Sequence, residues 1–158
     1  MATVISPQQA LARLQNLCSR GEKCVADIRN KLIAWKMSAE DSAEIIKSLL
    51  EAEYIDEERY AVAFVRDKSR FSHWGAIKIQ AALKAKNISQ AIIGKALKEL
   101  EELNYEGELE DLLRRKMPTV KAKDRHDLKV KLLRFALSRG YEYDLAYKYI
   151  SKLITENL

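Results

Sequence analysis

The sequence predicts an all-α protein made of three tandem three-helix repeats, nine helices in all, stacked into an elongated curved arc. Apolar residues recur at the three- and four-residue spacing of amphipathic helices along the chain, and no segment alternates as a half-buried strand does. Only two prolines and five glycines occur among 158 residues, so long helices are favoured over tight turns. The third observation is an internal repeat of apolar positions.

The repeat is visible when the chain is compared with itself. Ile28 and Leu32 recur 51 residues later as Ile79 and Leu83, and Ile79 recurs after 53 more residues as Leu132. A unit of about 50 residues buries little surface alone, so we expect such units to stack on one another. The predicted units are 6–52, 53–103 and 107–157. The same offsets join Met37, Ile88 and Tyr141; Ile46, Leu97 and Ile150; and Leu49, Leu100 and Leu153.

Capping residues place the helices of the first unit. Ser6 followed by Pro7 is typical of a helix start. A second helix is predicted over about 24–35, where apolar residues share one face. Ser38 with Asp41 three positions later resembles a capping box, so a third helix is expected to begin there.

The later joints follow from residues that end helices. Asn87 and Gly140 occupy equivalent repeat positions, and both tolerate the left-handed backbone found at helix ends. We expect a turn over 103–107 and a break of the seventh helix at Pro118. The basic run 121–123 is predicted to be a loop.

Composition is typical of a soluble folded protein, with 47% hydrophobic and 32% charged residues. The start of the chain, MATVISPQQALARL, lacks the features of a signal peptide, and no stretch approaches the ~20 apolar residues that span a bilayer. We therefore expect a cytoplasmic protein that does not enter a membrane. Cys18 and Cys24 are expected to be thiols, because nothing else indicates an oxidising compartment.

No set of residues suggests catalysis. His73 and His126 lie at equivalent repeat positions and are expected to mark helix starts, because neither has metal ligands at suitable spacing nearby. The glycines do not form a phosphate-binding loop. Adjacent acids such as Glu57 and Glu58 point apart on a helix. The sequence therefore predicts a binding protein without enzymatic activity, metal, cofactor or small-molecule substrate.

Basic residues are the positive signal for binding. The net charge is +5, and seven acids lie within 99–111 whereas bases dominate 114–134. Arg59, Arg66 and Arg70 fall at i, i+7 and i+11, which is nearly one line along a helix. Such a face would make salt-sensitive contacts with phosphates, or it would only be solvated. The predicted contact residues are Arg59, Arg66, Arg70, Lys78, Lys84, Lys121, Lys123, Arg125, Lys131 and Arg134.

The aromatic residues allow two interpretations. Phe71 and Trp74 either stack on nucleic-acid bases or pack the junction between the fourth and fifth helices. We favour packing, since aromatic residues at helical spacing usually belong to a core. At least one of Tyr143, Tyr147 and Tyr149 is expected to be exposed, because these residues lie on different sides of one helix.

The segment from Tyr54 to Leu83 carries the most specific pattern. Asp56 is placed to cap a helix whose first turn is acidic. This segment resembles the central signature of the RecX family, bacterial regulators of the RecA recombinase; elsewhere the likeness is one of pattern and length. The residues that carry it are Tyr54, Ile55, Asp56, Tyr60, Ala61, Phe64, Val65, Trp74, Gly75, Ile79 and Leu83.

The resemblance implies a function. It implies a monomer that binds along the RecA filament on single-stranded DNA, blocks filament extension and promotes disassembly. Strand exchange, ATP hydrolysis and co-protease activity of RecA would fall, which links the chain to recombination, DNA repair and the SOS response. Two alternatives stay open: a helical repeat protein that binds nucleic acid without RecA, and a protein-binding scaffold whose basic face is only solvated.

Overall fold

Every regular element in the described part of the chain is helical, which confirms the predicted all-α fold. The structure is a computed structural model that describes residues 5–157. Residues 1–4, part of the segment examined for a signal peptide, lie outside that range. The helices are α1 (Pro7–Arg20), α2 (Val25–Ala34), α3 (Ala39–Glu51), α4 (Glu57–Arg70), α5 (Ala76–Ala85), α6 (Gln90–Leu97), α7 (Glu99–Glu102), α8 (Tyr105–Lys116), α9 (Arg125–Ser138) and α10 (Tyr143–Glu156).

Helices α6 and α7 follow one another with a single residue between them. Lys98 between them keeps right-handed helical angles, φ −63° and ψ −22°, so the chain never leaves the helical region there. Counted together, they give nine helices over residues 5–157, the number predicted. A 3₁₀ helix, Met117–Thr119, follows α8, because Pro118 cannot continue an α-helix. Residues 121–123 are non-helical, as expected.

The predicted capping residues begin their helices. The Ser6 hydroxyl accepts from the Gln9 amide at 3.1 Å, and the Gln9 side chain accepts from the Ser6 amide at 2.9 Å. The Ser38 hydroxyl and the Asp56 carboxylate each accept from the amide three positions later, at 3.1 and 3.0 Å. Each cap satisfies an amide that has no partner inside its own helix.

Each run of three helices encloses an apolar core, and the positions predicted from the repeat lie in these cores, apart from Met37 and Leu97, which are partly buried and pack against them. The clusters do not follow the predicted unit boundaries at every residue, because Cys24 belongs to the second core and Ile55 to the first. We therefore keep the boundaries 6–52, 53–103 and 107–157 as a proposal. The first core holds Ala10, Leu14, Ile28, Leu32, Ile45, Ile46, Leu49 and Ile55; the second Cys24, Tyr60, Ala61, Val65, Ile79, Leu83, Ile88, Ile93, Ala96 and Leu100; the third Leu109, Leu112, Leu113, Leu132, Ala136, Tyr141, Ala146, Ile150 and Leu153.

Left-handed residues close the middle helix of each run. Asn87 and Gly140 have φ of 61° and 92°, which confirms the prediction for both. Lys36, 51 residues before Asn87, has φ 58°. Sequence analysis missed Lys36 because lysine has no preference for this conformation. The recurrence of the same turn supports a repeated unit.

The turn predicted over 103–107 covers only residues 103 and 104, and the prediction was wrong for 105–107, which are helical. Asn104 takes the left-handed conformation with φ 55°, and α8 begins at the next residue, Tyr105. Gly107 is helical and packs against the Asn104 side chain. A single left-handed asparagine completes the change of direction, so a longer turn is unnecessary.

The stack exposes more surface than a compact protein of its size. Its accessible surface is 9926 Å², whereas a compact monomer of this mass exposes roughly 8,000 Å². Separate cores joined end to end explain the excess, and this agrees with an elongated shape. The curvature of the stack stays a prediction.

The joint between the first two runs of helices is made by side chains. Lys86 at the end of α5 pairs with Asp27 in the first turn of α2 at 2.6 Å. Arg59 on α4 pairs with Glu22, just before α2, also at 2.6 Å. The first amide of α2 donates to Glu57 at 3.4 Å. The C-terminal end of α5 thus meets the N-terminal end of α2.

Within residues 5–157, no helix is both long enough and apolar enough to cross a membrane.

Candidate nucleic-acid interface

The joint between the second and third runs of helices is built from backbone. The C-terminal end of α9 meets the N-terminal end of α5, where the Gly75 amide donates to the Arg139 carbonyl at 2.6 Å. The Ile77 amide donates to the Gly140 carbonyl at 3.0 Å. A Cβ at Gly75 would lie under 3.0 Å from Gly140 and Tyr141 backbone atoms, closer than real Cβ atoms come. Two glycines therefore allow the close contact.

Tyr105 completes this joint. Its hydroxyl accepts from the first amide of α5 at 2.8 Å and donates to the Glu142 carboxylate at 2.6 Å. Its ring stacks on Tyr141 with 5.3 Å between centroids. Burial raises the pKa of Tyr141 to about 12. Three N-terminal amides of α5 thus have partners from the third run of helices, so the two runs are held in a defined geometry.

Trp74 lies beside this joint with two lysines on it. The ammonium of Lys68, from the last turn of α4, is 4.7 Å from the ring centre of Trp74. That of Lys78, from the start of α5, is 4.6 Å away. Trp74 is half-buried and meets Phe64 edge-on at 6.3 Å. Each cation–π contact stabilises its lysine position by about 0.5–1 kcal/mol.

A second cation–aromatic group continues across the joint. Lys116 and Arg139 lie 4.9 and 5.5 Å from the ring centre of Phe135. Arg139 also donates to the Ser72 carbonyl at 3.2 Å, which ties it to the loop before Trp74. We define the junction surface as Lys68, Trp74, Lys78, Lys116, Phe135 and Arg139.

The cations of the junction surface carry uncompensated charge. Over residues 5–157, no carboxylate lies within 4.0 Å of the four basic groups. They are spread over four helices or helix ends and lie beside aromatic rings. Positive charge without a partner, next to aromatic surface, is suited to a nucleic-acid strand.

Two of the predicted contact arginines make internal ion pairs. Besides pairing with Glu22, Arg59 donates to the Glu53 carbonyl at 3.0 Å, and its bond to Glu22 raises its pKa. Arg66 donates twice to one Glu99 oxygen, at 3.0 and 2.8 Å, and thereby links α4 to α7. Half-exposed guanidinium groups in such pairs are partly neutralised, so the predicted arginine line is not a continuous open charge.

The other predicted cations lie at several places. Lys78 belongs to the junction surface, while Arg70 and Lys84 are exposed near it in sequence. Lys131 donates to the Lys121 carbonyl at 2.6 Å and pairs with Asp127 at 3.1 Å. The remaining four, Lys121, Lys123, Arg125 and Arg134, are exposed on α9 or in the segment before it.

The preference for a packed Phe71 was wrong, and that for Trp74 was right. Phe71 is 77% exposed, because α4 ends at Arg70 and Trp74 takes the position against Phe64. Tyr143 and Tyr147 are also exposed and stack with 6.0 Å between centroids, as expected for at least one of them.

Sequence reasoning missed three cations of the junction surface. Lys68 follows Phe64 by four residues, and Arg139 follows Phe135 by four, so both pairs share a helix face. That spacing could have identified them. Lys116 reaches Phe135 from another helix, and no local signal exists for that contact.

The histidines and cysteines belong to no metal-binding cluster in the described part of the chain. No group of three His, Cys, Asp or Glu side chains that could hold a metal occurs between residues 5 and 157. Cys18 and Cys24 are thiols, and burial raises the pKa of both. His126 lies in the first turn of α9 as expected, but His73 lies in the loop before α5 with φ 53°.

The fold and this surface define a class, that of all-α helical repeat proteins that carry a cation–aromatic surface. The family model described as the second three-helix domain of RecX matches residues 56–97, and that of the third domain matches 106–150. The chain belongs to the RecX family.

Named relatives and solved structures agree. The Regulatory protein RecX of Clostridium botulinum (strain Eklund 17B) is 28% identical over 141 residues, which cover 88% of this chain and 66% of that protein. The Regulatory protein RecX of Clostridium perfringens (strain 13) is 29% identical over 133 residues, 83% and 62%. The chain thus spans less than two thirds of each relative's length.

The crystal structure of RecX from Lactobacillus salivarius superposes with a TM-score of 0.80 at 20% identity, covering 93% of this chain and 96% of that one. A second crystal structure, of regulatory protein RecX, gives a TM-score of 0.82 and covers 92% and 73%. These two likenesses establish the fold.

Proposed function

We propose that this chain binds the RecA filament on single-stranded DNA and lowers RecA activity by blocking filament extension and promoting disassembly. The relatives' name, Regulatory protein RecX, supports a regulatory role, and the family resemblance supports RecA as the target. The observation that carries the proposal is the junction surface. It offers four cations that have no carboxylate within 4.0 Å among residues 5–157, and these lie beside Trp74 and Phe135 at a joint held by backbone hydrogen bonds.

The geometry suits a nucleoprotein filament. An elongated stack offers a long surface. The four cations of the junction surface favour contact with a polyanion, because contacts with phosphates release counterions. The exposed ring of Phe71, close in sequence to Trp74, is available to stack on a base. The two ion-paired arginines, Arg59 and Arg66, hold helices together, so we assign them a secondary part in binding.

The first test measures RecA-driven ATP hydrolysis on single-stranded DNA with the cognate recombinase. Lys68→Glu combined with Lys78→Glu reverses the charge beside Trp74, so we expect the half-inhibitory concentration to rise at least about tenfold. The matched control is Arg29→Glu with Lys31→Glu, which makes the same charge change at exposed positions of α2. Equal loss in both double variants, each with wild-type helicity by circular dichroism, would contradict the assignment to the junction surface.

The second test separates the proposal from its alternatives. The wild-type chain is captured on RecA-coated and on naked oligothymidylate at equal strand concentration. Preference for the coated strand supports a RecA modulator. Equal or better retention on the naked strand supports a protein that binds nucleic acid by itself, and retention on neither supports a scaffold for another protein.

A further inference from the structure

A cleft between α9 and α10 lies apart from the junction surface. It has a volume of about 210 Å³ and is lined by Arg125, His126, Lys129, Ser151, Ile154 and Thr155. The three nitrogen-bearing side chains come from the first turns of α9, and the two hydroxyls come from the last turns of α10. Arg125 and Lys129 are four residues apart, so they share one face of α9.

The charge of this cleft distinguishes it. No carboxylate lines it, whereas each of four other clefts in the described chain includes at least one. Asp127, the nearest acid in sequence, pairs with Lys131 at 3.1 Å and accepts from the Lys123 amide at 3.0 Å. These contacts hold the only acid in the first turn of α9 away from the cleft.

The hydroxyl at the cleft has an unused hydrogen. Ser151 Oγ is buried and has no hydrogen-bond partner among the described residues. A buried hydroxyl without a partner is unfavourable, and rotation of the Ser151 side chain toward the cleft would let it donate to an anion there. The cleft has room for a single phosphate group and is open to solvent, so the rest of a phosphate-bearing ligand can extend out of it.

We infer that this cleft binds a phosphate group. Arg125 would supply charge-assisted hydrogen bonds, and Lys129, whose ammonium lies 3.9 Å from the ring centre of Tyr147, would turn toward the anion. Ser151 would donate from the opposite helix after its side chain rotates. The phosphate comes either from a nucleic-acid backbone or from a free phosphate compound. That the phosphate belongs to a nucleic-acid strand rests on the proposed function. Phosphate binding itself does not require RecA or a filament.

The test is a nitrogen-15 NMR titration of the full chain with inorganic phosphate, against potassium chloride at the same ionic strength. We expect saturable shifts of the amides in 125–129 and 151–155 with phosphate and not with chloride. Arg125→Ala and Lys129→Ala should each raise the dissociation constant roughly three- to tenfold. Arg115→Ala is the matched control, since Arg115 is exposed on α8, does not line the cleft and is not among the predicted contact residues.

The source is distinguished with oligothymidylates. A phosphodiester strand that shifts the same amides and competes with inorganic phosphate identifies the strand as the source. If inorganic phosphate binds and the strand does not compete with it, a free phosphate compound is the source. That outcome does not change the result expected in the RecA assay. Shifts equal to those with chloride, or equal shifts with an uncharged methylphosphonate strand, would overturn the inference.

Discussion

Gly75 shows how one residue governs the placement of two helical runs. Its amide donates to Arg139 at 2.6 Å, and its missing side chain leaves room for the Gly140 carbonyl. Gly140 needs glycine for two reasons, because its φ is 92° and a Cβ there would meet Lys78. At Gly140, the backbone conformation and the close contact with Lys78 therefore both require glycine.

At the residue scale, we predict that Gly75→Ala destabilises the protein by about 1–3 kcal/mol, because the new methyl group forces the backbones of α5 and α9 apart. Urea unfolding followed by circular dichroism measures the change. Gly94→Ala is the control. Gly94 lies inside α6 with nothing within 4 Å of an added Cβ, so this change should stabilise by up to ~1 kcal/mol. Equal effects of the two variants would refute the close contact.

At the scale of the element, α4 combines three signals along its length. Asp56 caps it, Glu57 and Glu58 complement its dipole, and the face with Tyr60 and Val65 packs in the second core. Its opposite side carries Arg66 and the last turn carries Lys68, so one helix contributes both to the core and to the junction surface.

Phe64 tests the packing of α4. It is half-buried between Tyr60, 5.9 Å away, and Trp74, 6.3 Å away. A fully buried phenylalanine costs about 3–5 kcal/mol when replaced by alanine, so for Phe64→Ala we expect about 1.5–3 kcal/mol. Phe71→Ala, at an exposed ring one residue past the same helix, should change stability by less than ~0.5 kcal/mol. Denaturant unfolding measures the stability of both variants. A larger loss of stability from Phe71→Ala than from Phe64→Ala would contradict the assignment of Phe64 as the packed ring and Phe71 as the exposed one.

For the whole molecule, the two joints differ in kind. The first depends on ion pairs such as Lys86 with Asp27, whereas the second depends on backbone bonds and stacked tyrosines. Ion pairs at partly exposed positions weaken with salt and acid. Within the described chain we therefore expect the first joint to loosen before the second.

Asp27 gives this difference a pH dependence. Burial alone raises the pKa of its carboxyl, but hydrogen bonds from Lys86 and Cys24 outweigh burial, and the net pKa is lowered. A lowered folded-state pKa contributes stability above the unfolded value of about 4, and this contribution is lost as pH falls through the folded value. The stability advantage of wild type over Asp27→Asn should therefore be full at pH 6 and shrink below about pH 4.

The measurement is urea unfolding of both proteins at pH values from 3 to 7. Lys31→Gln serves as a control, since Lys31 is exposed on the same helix and is not in any ion pair among the described residues. A difference between wild type and Asp27→Asn that is independent of pH would mean that Asp27 is not charged in the joint.

Local signals in the sequence determined the helices, their caps at Ser6, Ser38 and Asp56, and the apolar positions that recur as Ile28, Ile79 and Leu132. These depend on residues one or two turns apart, which the sequence displays directly. The RecX signature belongs to the same level.

Tertiary structure alone decided which charges meet. Arg66 reaches Glu99 across 33 residues, and Lys116 reaches Phe135 from another helix, so the open positive surface lies at the second joint rather than along α4. The physical reason is that ion pairs and cation–π contacts depend on how helices are placed against each other. That placement is set by contacts such as Gly75 with Gly140, which join residues far apart in the chain.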